Sequence, residues 1–243
     1  MPHQGPLPAD AGGGLFFRID AVIFDLDGTL ADSIGDIGAA MNAVLAELWL
    51  PPHKLEAYKA FVGEGAEQLA RRAVRAALGL DWRSASSEGL PRPLDALVES
   101  YRVHYAALEH QHSTPYPGID AMLEGVVASG RKMAVLSNKR DDFTRHLVTH
   151  AFGKWPFTDV RGERDGVARK PDPIAAFELA LALNVLPERI GFVGDTPIDI
   201  ATARNAGMIA IGVLWGFRTR EELTTAGARF LIEHPKDLLA LLR

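Results

Sequence analysis

The sequence predicts an open, doubly wound parallel α/β sheet with a block of helices inserted after its first strand. Two patterns carry this reading. Short apolar runs of β-forming residues at 22–24, 133–136, 190–193 and 209–214 alternate with helical stretches of about ten to fifteen residues, the rhythm of a parallel sheet with helical crossovers. From Leu55 to about Gln111, by contrast, the periodicity stays helical and no strand interrupts it. The expected organisation is a core of residues 15–32 and 114–243, with residues 33–113 as a small all-helical insertion.

Composition narrows the function classes. Hydrophobic residues make up 47% of the 243 and charged residues 23%, the balance of an ordinary water-soluble domain. A formal net charge of −5 leaves no basic footprint for nucleic acid and no polybasic membrane patch, and no run approaches the length of a membrane span. The absence of cysteine removes disulfides, thiolate zinc sites and a cysteine nucleophile, and fits a reducing, cytoplasmic setting. Residues 1–14, rich in Pro, Gly and Ala, read as a disordered leader.

Along the chain, residues 18–24 give the first strand. Ser33-x-x-Asp36 has the form of a helix N-terminus; Ile34, Ile37, Met41, Val44, Leu45 and Leu48 follow on one face, and Pro51-Pro52 ends the helix. Further helices are expected at 64–78 and 93–109, and Thr114-Pro115-Tyr116-Pro117-Gly118 punctuates the return to the sheet. Then come helix 119–129, strand 133–136, helix 139–150, a weak strand near 158–161, and helix 173–183 with Asp172 as cap and Pro173 at its first position. Strand 190–193, a helix to about Ala206, strand 209–214, an edge strand at 230–232 and a closing helix at 238–242 complete the series. Trp49, Trp82 and Trp155 read as packing residues.

The chemistry gathers at the ends of the strands. The first runs into Asp25-Leu26-Asp27-Gly28-Thr29, where two carboxylates two positions apart in extended chain can face the same side. Carboxylates so paired resist double ionisation unless a cation or a shared proton relieves them. Strand 133–136 ends in Ser137-Asn138, and strand 190–193 in Gly194-Asp195-Thr196-Pro197-Ile198-Asp199; Lys170-Pro171-Asp172-Pro173 lies ahead of the latter. Singly, each motif also reads as a turn, a helix cap or a solvated charge. In an open parallel sheet, however, ligands bind beyond the carboxyl ends of the strands, so all of them fall on one edge. Carboxylates there suit an oxygen-seeking cation such as Mg²⁺. A hydroxyl, a lysine and helix N-termini suit a phosphate, and the two together are the equipment of phosphoryl transfer.

These four motifs, in this order, resemble the haloacid dehalogenase superfamily of phosphohydrolases over about residues 18–235. The resemblance implies a Rossmann-like core and makes the inserted helices similar to that family's helical cap. Phe61-Val62-Gly63-Glu64-Gly65 leading to Leu69 and Arg72, Tyr116-Pro117-Gly118, and Trp215-Gly216-Phe217 resemble the phosphoglycolate phosphatase branch, parts of which pyrophosphatases and sugar phosphatases share. What the resemblance implies for the residues is specific. Asp25 is the nucleophile that takes the phosphoryl group, and Asp27 is the acid and base. Asp25, Asp195 and the backbone carbonyl of Asp27 hold Mg²⁺, with Asp199 acting through the metal's waters; Ser137 and Lys170 bind the phosphoryl oxygens, and Thr29 and Asn138 count with the substrate site. Ser137 stands where many relatives carry threonine.

A dehalogenase needs neither the acid Asp27 nor a metal, so the set favours a phosphatase. The expected activity is Mg²⁺-dependent hydrolysis of a small phosphorylated metabolite, 2-phosphoglycolate first, through an aspartyl phosphate, by a monomer or homodimer. A phosphosugar phosphatase, pyrophosphatase or phosphosugar mutase of the same superfamily is the alternative. A phospho-accepting signalling module is the alternative from another class, against which the helical insertion and Asp27 speak. Arg72 reads either as the receptor for a substrate carboxylate or as a solvated charge beside Arg71 and Arg75. Gly63 and Gly65 either let the backbone approach the substrate or form an ordinary loop. Lys139 and Arg140 either tune the phosphate site or stand exposed in a helix's first turn, and His104, His110 and His112 read as surface histidines rather than metal ligands.

Overall fold

The computed structural model describes residues 18–243, and the expected leader at 1–14 lies outside them. β1 (Ala21–Phe24) is a continuous apolar run with no exposed side chain, as a central parallel strand buried on both faces requires. The chain then turns into β2 (Ala31–Asp32) and passes through α1 (Ile34–Glu47), α2 (Leu55–Phe61), α3 (Ala66–Ala77) and α4 (Leu94–Ala107). It returns by β3 (Thr114–Pro115), which pairs antiparallel with β2, so departure and return lie side by side. There follow α5 (Ile119–Ala128), β4 (Lys132–Arg140), α6 (Asp141–Phe152), β5 (Phe157–Glu163), α7 (Ile174–Leu183), β6 (Ile190–Gly194) and α8 (Pro197–Asn205). β7 (Ile209–Val213), α9 (Arg220–Ala226), β8 (Phe230–Ile232) and α10 (Leu238–Leu241) close the chain.

Six strands form one parallel sheet in the order β5-β4-β1-β6-β7-β8. Because side chains alternate along a strand, Val22, Phe24, Met133, Val135 and Ile211 pack with α5, α6 and α10 on one face. Ile23, Ala134, Leu136 and Phe192 pack with α7 and α8 on the other. From β1 the chain steps outward through β4 to β5, and from β6 it steps the opposite way to β8. The order therefore reverses between β1 and β6, the point at which doubly wound sheets open a crevice beyond the strand ends. Helices α1–α4 bury a core of their own around Met41, Tyr58, Leu69 and Leu97. Among the described residues, no helix is long and apolar enough to cross a membrane.

Several elements differ from the sequence expectation, each for a physical reason. β4 continues to Arg140 because Arg140 still pairs with Glu163 of β5, so Lys139 belongs to a strand and not to the first turn of a helix. α1 stops before Pro51, and Trp49 takes a left-handed conformation (φ 58°) that leaves its indole 95% exposed rather than packed. Trp82 does pack, edge-on to Phe61 at 5.3 Å, and Trp155 covers the rim of the core while donating to Asp120 at 3.0 Å. α7 starts one residue later than expected, with Asp172 accepting the Ile174 N–H at 2.9 Å. α9 has no apolar stripe to betray it, since only Leu223 is buried; its Thr219–Glu222 capping box defines its start.

Candidate active site

β1 and β6 pair with Phe24 opposite Val193, which brings Asp25 and Asp195 to adjacent strand ends. The Asp25 N–H donates to Val193 O at 2.8 Å and extends the ladder by one residue. Beyond β6, α8 opens at Thr196, and Asp199 reaches back so that its Oδ2 accepts the Thr196 N–H at 3.0 Å and the Thr196 hydroxyl at 2.7 Å. That fixes Asp199 with its Oδ1 toward Lys170, whose Nζ donates to it at 2.7 Å and to Asp25 Oδ1 at 2.6 Å. Asp25, Asp195 and Asp199 are no more than 6% exposed, and their oxygens lie within 4.8 Å of one another.

Three buried carboxylates against one ammonium leave the cluster short of positive charge. Burial first, and then the neighbouring Asp199, push the Asp25 carboxyl well above its ordinary value, and Lys170 offsets this only in part. Burial and Asp199 raise Asp195 to about 7, although the Phe217 N–H and Arg218 pull the other way. Burial depresses the Lys170 ammonium, but Asp199 and Asp25 outweigh it and hold it above an ordinary lysine. A divalent cation would relieve both raised carboxyls at once. The donor set is all oxygen, the chemistry of a hard ion such as Mg²⁺.

Asp27 stands apart from that trio. Its Oδ1 accepts from Lys139 Nζ at 2.5 Å and from the Ser33 hydroxyl. Lys139 is 7% exposed at the side chain and also donates to Tyr105 Oη of α4 at 2.9 Å. Ser33 thus gives its hydroxyl to Asp27 instead of capping α1, and Asp36 accepts the His112 N–H at 3.0 Å and the Ser113 hydroxyl instead of completing a capping box. Immediately after Asp27 the chain turns at Gly28, whose φ of 92° favours glycine; a Cβ there would lie 2.4 Å from Asp195 Oδ2.

The other expected residues fall into three groups. Thr29 and Ser137 stand in the site: Thr29 Oγ1 donates to Asp195 Oδ1 at 3.2 Å, and Ser137, at the floor of the cavity, accepts the Lys139 N–H at 3.2 Å. Asn138 is a clasp. It accepts the Lys170 N–H at 2.9 Å, donates to Lys170 O at 3.1 Å, and donates to Gly63 O of the helical block at 3.1 Å. Gly63 and Gly65, at φ 112° and 86°, line the cavity wall. Arg72 is not brought to the site: it bonds Glu64 and the Phe61 carbonyl within the helical block and does not line the cavity. His104 contacts Glu47 at 2.7 Å at the surface, whereas His110 is buried, contrary to expectation, and packs against His146 at 3.1 Å and near His150.

A cavity of about 70 Å³ lies between the strand ends and the helical block, with Asp25, Asp27, Ser137 and Lys170 on its floor. Tyr101, Arg102 and Tyr105 of α4, with Phe143 and Phe217 of the core, contribute to its walls. No motif in the sequence marks Tyr101, Arg102 or Tyr105 as cavity residues. Tyr101 and Tyr105 share one face of α4, which equally describes packing against α1, and Arg102 carries no local signal. Phe217 was visible only within Trp215-Gly216-Phe217; its N–H donates to Asp195 Oδ2 at 2.8 Å, while Trp215 Nε1 donates to Thr29 O at 2.9 Å.

The relatives of this chain share its sequence pattern and its fold. The haloacid dehalogenase-like hydrolase profile matches residues 22–213. A phosphoglycolate phosphatase of Rhodospirillum rubrum is 36% identical over 208 residues, 86% of this chain and 84% of its own. One from Chromobacterium violaceum is 32% identical over 228 residues, 93% of this chain and 97% of its own. The crystal structure of a provisionally named phosphoglycolate phosphatase from Lactobacillus delbrueckii subsp. bulgaricus superposes with a TM-score of 0.82 at 30% identity, covering 93% of this chain and 98% of that one. The crossing of acidic strand ends with a buried lysine, and these likenesses over most of the chain, lead to one conclusion: the chain belongs to the haloacid dehalogenase-like hydrolase family.

Proposed function

We propose that the protein is a Mg²⁺-dependent phosphatase that hydrolyses 2-phosphoglycolate, or a small phosphomonoester much like it, through an aspartyl phosphate on Asp25. The observation that carries this reading is the division of labour between two carboxylates two residues apart. Asp25 stands in an acidic cluster against Lys170, and Asp27 stands outside it against Lys139. Placing neighbouring carboxylates in different settings is how a site gives them different tasks. The names of the relatives support the substrate.

In the first step an Asp25 oxygen bonds to phosphorus as the bond from phosphorus to the leaving oxygen breaks, and Asp27 gives its proton to that oxygen. In the second, Asp27 takes a proton from water as the water oxygen bonds to phosphorus and the Asp25–phosphorus bond breaks. Asp25 returns as carboxylate and inorganic phosphate departs. Lys170 and Ser137 hold the non-bridging oxygens, and Lys139 and Ser33 keep Asp27 aimed at the leaving group. Asp25 and Asp195, with Asp199 beside them, would hold Mg²⁺, and the ion would supply charge neutralisation of the phosphoryl group.

Residues 33–113 act in this reading as a cap over a core of 15–32 and 114–243, excluding water and bulky substrates. The Asn138–Gly63 bond and the Arg218 bonds to the Lys59 and Val62 carbonyls support a closed arrangement. The test is phosphate release from 2-phosphoglycolate, phosphosugars, pyrophosphate and nucleotides, with Mg²⁺ and with chelator. Preference for phosphoglycolate that chelator abolishes supports the reading. Equal weak turnover of all substrates removes phosphoglycolate, and turnover undiminished by chelator removes the metal.

A further inference from the structure

We propose that Arg102 is the receptor for a second anionic group on the substrate, a carboxylate, and so sets the enzyme's preference for carboxylate-bearing phosphomonoesters. The inference rests on the phosphatase reading and deepens it. Four cationic side chains line the cavity, and three of them are already neutralised. Lys170 is held by Asp25 and Asp199, Lys139 by Asp27, and Arg140 by both oxygens of Asp142. Arg102 has only Glu99, at 3.7 Å on the outer side of α4, where the glutamate side chain is 66% exposed. Its Nε is buried and has no hydrogen-bond partner among the described residues.

A buried N–H such as this Nε without a partner is rare, because burial removes the water that would otherwise satisfy it; the Arg102 side chain as a whole is 29% exposed. The planar fork of an arginine matches a carboxylate by two parallel bonds. Nothing on the cavity wall competes for it. The acidic residues that line the cavity are Asp25, Asp27 and Asp199, and each is bonded to Lys170 or Lys139. Tyr101 and Tyr105 flank Arg102 on α4, and burial keeps both phenols protonated, so neither supplies a counter-charge. Arg72, the candidate the sequence offered, has spent its guanidinium on Glu64 and the Phe61 carbonyl.

The test compares kcat/KM for 2-phosphoglycolate with kcat/KM for ethyl phosphate, which lacks the carboxylate. This ratio does not depend on the fraction of a variant that folds. Arg102→Met lowers the ratio by about ten- to a hundredfold, the worth of a hydrogen bond to a charged group. Arg102→Lys falls between, and Arg102→Glu shifts preference toward phosphoethanolamine, whose tail is cationic. Arg72→Met leaves the ratio where it was. A ratio that Arg102→Met does not change, or a ratio that Arg72→Met lowers as much, overturns the assignment. If the wild-type enzyme releases phosphate from none of these substrates, the phosphatase reading itself falls and the assignment with it.

Discussion

Lys139 Nζ donates to Asp27 Oδ1 at 2.5 Å from a strand end that also carries Ser137 and Asn138, so one short segment serves both carboxylates of the first motif. Asn138 fixes the backbone of Lys170, which neutralises Asp25, while Lys139 neutralises Asp27. Lys139→Met frees Asp27 from its charged partner. The expected result is a kcat lowered by about ten- to a hundredfold, a fraction of what general acid–base catalysis contributes, with KM changed about twofold or less. Steady-state kinetics checks this, and a change confined to KM would place Lys139 in substrate binding instead.

Among the described residues, Lys170 is the single ammonium bonded to Asp25 and Asp199, and its side chain is 3% exposed. Lys170→Met leaves buried carboxylates uncompensated, which destabilises the fold by about 3–5 kcal/mol in chelator. Urea denaturation with and without Mg²⁺ measures this. The loss is expected to shrink when Mg²⁺ is present, because the ion supplies part of the missing charge.

Asp195 and Gly28 are in near contact, and that contact is testable. A Cβ at Gly28 would lie 2.4 Å from Asp195 Oδ2 and 2.7 Å from the Phe217 ring, at a φ that side-chain-bearing residues rarely adopt. Gly28→Ala is expected to weaken Mg²⁺ binding by about tenfold or more through displacement of Asp195. Calorimetric titration of the metal reads it directly.

The raised carboxyls also make stability depend on pH with a definite sign. Asp195 titrates at about 7 in the folded protein and Asp25 is raised as well, against about 3.9 for an unfolded aspartate. Between those values the folded state binds more protons, so in chelator this contribution is complete below about pH 4 and is lost as pH rises through about 7. A divalent cation would favour the ionised form, so Mg²⁺ is expected to reverse the trend. The gap in melting temperature between Mg²⁺ and chelator is therefore expected to widen from pH 5 to pH 8. A gap independent of pH would contradict the carboxylate cluster as the metal's seat.

The sheet and the acidic strand ends were legible in the sequence because both are local signals: β1 is a continuous buried run, and its two aspartates follow at once. What was not legible depends on partners distant in sequence. Lys139 reads as a helix residue until Arg140 is seen paired with Glu163 of β5. Arg72 reads as a free cation until the turn through Gly63 and Gly65 sets Glu64 against it. The value of Arg102 lies in a partner its Nε lacks, which no local pattern can display. Ser33 and Asp36 show the converse case, a local capping pattern overruled because Asp27 and Ser113 take the two side chains.

The most direct test is to quench the enzyme with borohydride during turnover of 2-phosphoglycolate and map the reduced residue by mass spectrometry. Reduction of an acyl phosphate leaves a hydroxyl in place of the carboxylate. The expected product is a peptide modified at Asp25 alone, appearing only with substrate and Mg²⁺ and absent from Asp25→Asn. Full turnover with no modification at Asp25, or turnover that survives Asp25→Asn, would contradict a covalent phosphatase.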